Sequence, residues 1–170
     1  MKSCTLKTPV LQDSVSVSIC FLNEISLPFE EVKSMLPSLN CSLINPSLVL
    51  SLEQLSSAIM KVLVSGKTMK TRSQYTELLY NLSPSTNVTD SLKSFGLNDT
   101  NSSAIAVRFN CEDGEGFAAE LQEKLRCKVL EFDTILFEKF SDLDLIKKTY
   151  KLSTDKPSLE ICTIISSKGI

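Results

Sequence analysis

The apolar positions of this chain change period several times. Val15, Val17, Ile19 and Phe21 alternate with Ser14, Ser16, Ser18 and Cys20, the period of two expected of a strand with one buried face. Pro28 opens a predicted helix that runs to Leu36, with Glu30 and Glu31 near its positive end and Pro37 expected to stop it. Asn45-Pro46 marks a turn, and residues 48–50 read as a short buried strand. Ser51 and Gln54 make an S-x-x-Q capping pattern. The helix behind it carries Leu52, Leu55, Ile59, Val62 and Leu63 on one face and ends at Gly66, a residue that adopts left-handed backbone cheaply.

The stretch 67–96 is the densest in signals. Lys67, Lys70 and Arg72 come first, then an apolar stripe at Tyr75, Leu78, Leu79 and Leu82 with helical spacing. After a Ser-Pro-Ser-Thr-Asn break, Asn87 is the expected cap of a second short helix, Asp90 sits in its first turn and Gly96 is its stop. Residues 103–109 predict a strand, 111–116 an acidic loop and 117–125 a helix with Phe117, Leu121 and Leu125 on one face. Residues 127–132 predict another strand. Residues 141–150 predict a helix capped by Ser141, its acids first and its lysines last, as the helix dipole favours. A Lys156-Pro157 turn precedes a last apolar run, 159–165. Strands interleaved with helices predict an α/β or α+β fold, a small mixed sheet packed with several helices in a single domain over 1–170.

Composition narrows the function classes. The chain has 170 residues, 42% of them hydrophobic and 22% charged, with net charge −2. The whole molecule therefore offers no general attraction for a polyanion, and any nucleic-acid contact must come from a local patch. No secretory signal and no membrane-length apolar run is found, so the expected setting is cytoplasm and nucleus, away from membranes. The six cysteines are scattered without a CxxC pair, which favours packed, reduced thiols. The N-x-S/T tripeptides at Asn40, Asn81, Asn87, Asn98 and Asn101 follow from a chain rich in serine and asparagine.

Catalytic signals are sparse. Histidine is absent, which removes the usual triads and the usual general base near neutral pH. Glu112, Asp113 and Glu115 read as a solvated turn, and no metal set is seen. A GKT tripeptide stands at 66–68, but Lys61 occupies the place of the upstream phosphate-loop glycine, and a helix precedes it where a strand is required. A small nucleotide-binding protein or enzyme using this loop is kept as the alternative reading. The basic cluster of Lys61, Lys67, Lys70 and Arg72 reads either as a solvated helix end or as a contact to an RNA backbone. Tyr75 is either a stacking platform for a base or core. Leu78, Leu79 and Leu82 are either domain core or the centre of a protein interface.

Three runs carry a family resemblance: SLINPSLVLS, GKTMKTRSQYTELLYNLSPSTNVTDSLKSFG and IKKTYKLS. Over roughly residues 15–153 the chain resembles the kinase-binding subunit family of the EKC/KEOPS complex, which forms threonylcarbamoyl-adenosine beside the anticodon of tRNA. The resemblance implies a non-catalytic protein without a cofactor. Its implied partners are the complex's small atypical kinase, whose ATPase it supports, the other subunits through that kinase, and tRNA, including the CCA end. Carried onto this chain, it makes Lys67, Lys70 and Arg72, with Asn45 and Tyr75, the expected tRNA contacts. It makes Leu78, Leu79, Leu82, Val88 and Leu92 the expected kinase-facing set. Residues 154–170 depart from the pattern: the Ile161-Cys162 pair remains, but the tail reads as shortened and lacks the family's arginine. Its β-branched Thr163, Ile164 and Ile165 also weaken a helix there.

Overall fold

The computed structural model describes residues 1–10 and 13–169. In chain order its elements are β1 (Cys4–Val10), β2 (Asp13–Asn23), α1 (Phe29–Leu39), β3 (Ser42–Ile44), a 3-10 turn (Pro46–Leu48), α2 (Leu52–Ser65), a second 3-10 turn (Gly66–Thr68), α3 (Gln74–Leu82), α4 (Val88–Phe95), β4 (Ala104–Phe109), α5 (Gly114–Lys124), β5 (Lys128–Val129), α6 (Ile135–Phe140), α7 (Leu143–Tyr150) and α8 (Pro157–Ser167). They fall into two compact units, one of Met1–Ile44 with Leu97–Asp133, the other of Asn45–Gly96 with Thr134–Ile170.

The first unit holds the sheet. Its order is β1-β2-β4-β3, with β5 beside β2 at Leu22 and Asn23. Every pairing among the described residues is antiparallel. The α+β class is as expected, while the mixed sheet is corrected to an antiparallel one. β2 is central and is buried on both faces rather than one. Val17, Ile19 and Phe21 are buried, and so are Ser16, Ser18 and Cys20. Ser18 satisfies its hydroxyl by donating to the Cys111 carbonyl at 2.9 Å. β1 went unread because CTLKTPV contains Pro9, which argues against a strand interior; an edge strand tolerates that proline.

Helices α1 and α5 complete this unit's core, with Val32, Leu39, Phe117, Leu121 and Leu125 packed among Cys20, Leu22, Ala104 and Ala106. Pro37 lies inside α1 rather than stopping it, and the helix ends at Asn40, which takes the left-handed φ of 48°. Arg108 ties α1 to α5. It donates to the carbonyls of Leu39 and Asn40, pairs with Glu120 at 2.8 Å, and lies over the Phe117 ring at 4.3 Å. The predicted acidic loop is the start of α5, because Asp113 accepts from the Gly116 N–H and caps the helix. The predicted strand at 127–132 shrinks to two paired residues, although Leu130 still donates to Phe21 at 3.0 Å.

The second unit is helical. Helix α2 packs on both α3 and α8, and α3 packs on α4. Leu55, Ile59, Leu78, Leu82, Phe95 and Ile161 are almost or wholly withdrawn from solvent. Gln54 is the polar pin of this interior. It donates to the Leu48 carbonyl at 2.9 Å and the Tyr150 hydroxyl at 3.1 Å, and that hydroxyl donates to Leu82. The expected strand at 48–50 is replaced by the 3-10 turn of Pro46–Leu48, set by Asn45 accepting from Ser47 and by the fixed φ of Pro46. Helix α7 is capped by Asp142, not Ser141. Helix α8 forms over eleven residues despite its β-branched run, since Ile161 and Ile165 are fully buried and packing outweighs propensity. Among the described residues no helix is long and apolar enough to cross a membrane.

Candidate functional site

The basic loop is built from the end of α2 onward. Gly66 has a φ of 51° and lets the chain turn out of α2, and Thr68 donates back to the Ser65 carbonyl at 2.6 Å. Lys67, Lys70 and Arg72 are all exposed on this connection. Helix α3 then begins with a reciprocal box in which Ser73 accepts from the Thr76 N–H at 3.2 Å and Thr76 accepts from the Ser73 N–H at 3.3 Å. Thr71 joins through its hydroxyl, 2.8 Å from that of Thr76.

Beneath the loop lies Glu77, only 2% exposed. Its two carboxylate oxygens each accept one backbone N–H, Lys70 at 3.1 Å and Thr71 at 2.8 Å. A buried carboxylate needs such donors to replace its lost hydration. The loop is therefore pinned from inside at the backbone of Lys70, one of its exposed cations, and of Thr71, which separates Lys70 from Arg72. One turn further along α3, Asn81 is also buried, and its Nδ2 has no hydrogen-bond partner among the described residues.

Two lysines cross-brace the helices behind the loop. Lys61 of α2 donates to the carbonyls of Ile165, at 2.8 Å, and Lys168 at the end of α8. Lys168 in turn donates to the carbonyls of Tyr80 and Ser83, the latter at 2.7 Å, and its ammonium lies 3.6 Å from the Tyr80 ring centroid. Each cation thus meets the negative end of a helix. Burial pushes the Lys168 pKa down to about 8; Lys61 lowers it further and Glu77 opposes the shift. Burial also lowers that of Lys61, again against Glu77.

Several expected site residues change role. Lys61 belongs to this brace and leaves the exposed basic cluster. Asn45 is corrected from a surface contact to a buried cap: it is 7% exposed, accepts from Ser47 and donates its N–H to the Phe95 carbonyl at 2.8 Å. Tyr75 is half-buried at the start of α3. Leu78 and Leu82 have no exposure and are core, so they offer nothing to a partner. Leu79, Val88 and Leu92 keep partial exposure on α3 and α4. Among the described residues, the most exposed large apolar side chains of this unit lie elsewhere, Val64 at 72%, Leu159 at 65% and Ile135 at 61%. The sequence reading also missed Glu77, Tyr80 and Lys168; the one local hint was a glutamate set among the apolar positions of α3.

The GKT tripeptide occupies the exposed turn after α2. It meets the carbonyl end of that helix, whose partial charge is negative, whereas a phosphate loop needs the N–H end. The buried thiols are equally unsuited to nucleophilic work: burial pushes both Cys20 and Cys41 up to about 12.

Comparison with known proteins points one way. The family model described as "Kinase binding protein CGI-121" matches residues 25–168. The "EKC/KEOPS complex subunit CGI121" of Eremothecium gossypii is 30% identical over 154 residues, covering 87% of this chain and 85% of the relative. The "EKC/KEOPS complex subunit TPRKB" of Danio rerio is 30% identical over 114 residues, covering 66% of this chain and 64% of the relative. The Aspergillus fumigatus "EKC/KEOPS complex subunit cgi121" is 26% identical over 159 residues, covering 88% and 84%. The family match takes in β3, β4 and β5, the basic loop and α8, and the chain belongs to the CGI-121 kinase-binding protein family.

Proposed function

We propose that this chain is a non-catalytic subunit of an EKC/KEOPS complex in the cytoplasm and nucleus. It binds the complex's small atypical kinase, supports that kinase's ATPase activity, and helps hold tRNA, including its CCA end, while threonylcarbamoyl-adenosine is made elsewhere in the assembly. The observation that carries this reading is the family match over residues 25–168. Three exposed cations on one internally anchored loop support the RNA half of it, because lysine and arginine there meet phosphate without having to leave a fold contact. The kinase-facing surface is drawn from Leu79, Val88 and Leu92, with Leu78 and Leu82 stiffening it from below.

The test has two arms. Mixed with its cognate kinase at micromolar concentration, the chain elutes with it from a sizing column; separate elution overturns the kinase assignment. In the second arm, Lys70→Glu combined with Arg72→Glu weakens tRNA binding by roughly tenfold or more and flattens its salt dependence. Unchanged affinity removes this loop as the RNA contact.

A further inference from the structure

A loop that contacts a nucleic-acid backbone has to present its cations at a fixed spacing, and exposed lysines alone do not provide that. Residues 69–73 form neither helix nor strand. What fixes them is the pair of hydrogen bonds from the Lys70 and Thr71 N–H groups to the two oxygens of one buried carboxylate. That carboxylate is rooted on α3, whose Leu78 and Leu82 are fully buried, so the anchor is as rigid as the helix that carries it. The Thr71, Ser73 and Thr76 hydroxyls close the other side of the loop. Glu77 also attracts the Lys61 and Lys168 ammonium groups, so the same carboxylate offsets the two cations that brace α8.

From this arrangement we infer that Glu77 is a positioning residue: it sets the conformation in which Lys70 and Arg72 meet a polyanion, without touching that ligand itself. The inference rests on the RNA reading of the loop and adds how the loop is held. A carboxylate is suited to this task, since it accepts two adjacent N–H groups at once and donates to none. A glutamine keeps one acceptor oxygen but turns an NH2 toward the second N–H. An alanine removes both acceptors.

The experiment uses the full chain as wild type, Glu77→Gln and Glu77→Ala, with Asp142→Ala as a control whose lost cap lies outside the loop. Amide hydrogen exchange at Lys70 and Thr71 is read beside tRNA affinity over a range of salt. In the wild type both amides are protected. Protection and affinity then fall together, wild type above Glu77→Gln above Glu77→Ala, with a loss of roughly tenfold in affinity for the alanine and a shallower salt slope. Asp142→Ala loses thermal stability but keeps both readouts. Variants that lose protection at both amides yet bind tRNA as the wild type does overturn the inference. So do unprotected amides in the wild type, a result that needs no folded variant. If instead charge reversal at Lys70 and Arg72 leaves tRNA binding intact, the RNA reading itself fails, whatever the Glu77 variants do.

Discussion

At Lys168, burial and the neighbouring Lys61 hold the ammonium pKa at about 8, below the ordinary lysine value of 10.5. Between those two values the unfolded chain binds more protons at this site than the folded chain. Its contribution to stability therefore rises with pH across that window and is lost as pH falls through about 8. Cys20 and Cys41 act in the opposite direction: they lose their protons near 9 when unfolded and at about 12 when folded, so they lower stability as pH rises from 9 to about 12, a window that overlaps only the upper part of that of Lys168. The two effects separate in a comparison of variants. Melting curves of wild type and Lys168→Met from about pH 7 to pH 10 should diverge, the variant losing more stability toward high pH. Parallel curves would show that Lys168 keeps its proton in the fold. Lys168 left no mark in the sequence, and Glu77 only that of a glutamate set among the apolar positions of α3. Whether a charged side chain is buried depends on partners distant along the chain, here Tyr80 and Ser83 for Lys168.

Among the elements, α4 shows how a correct boundary was reached for an incomplete reason. Gly96 ends that helix as read, and the Asn87 cap is present at 3.1 Å, but the glycine's φ is −76°, not left-handed. Space is what it supplies: a Cβ there would stand 2.6 Å from the Leu92 carbonyl oxygen, a backbone atom that cannot swing aside. Gly96→Ala should cost about 1–3 kcal/mol, the range for overpacking a tight site, measured by urea unfolding. An unchanged midpoint would mean that the end of α4 shifts freely. Local chemistry made the long elements readable, since caps and periodicity act within one helix or strand. β2, β4, α2 and α3 were read on that basis. β3 and α6 were missed because short segments take their structure from what they pair or pack with, and β1 because its strand contains a proline that only its edge position tolerates.

For the whole molecule, the net charge of −2 conceals an asymmetry. The first unit carries 7 Lys and Arg against 12 Asp and Glu, a net of −5, while the second carries 11 against 8, a net of +3. The loop bearing Lys67, Lys70 and Arg72 belongs to the positive unit. An RNA bound through those three side chains alone releases few counterions, so the logarithm of affinity should fall with the logarithm of salt at a slope of about −2 to −3. Between 50 and 200 mM salt that amounts to a loss of roughly twentyfold to sixtyfold. Fluorescence anisotropy of labelled tRNA across that range measures the slope directly. A slope steeper than about −5 would require phosphate contacts beyond this loop, and a slope near zero would leave no role for its cations. The intermediate value is what distinguishes a local foothold from a polyanion-binding surface. A foothold of this size fits a protein that grips RNA as one member of an assembly, where linked sites add affinity that no single site has.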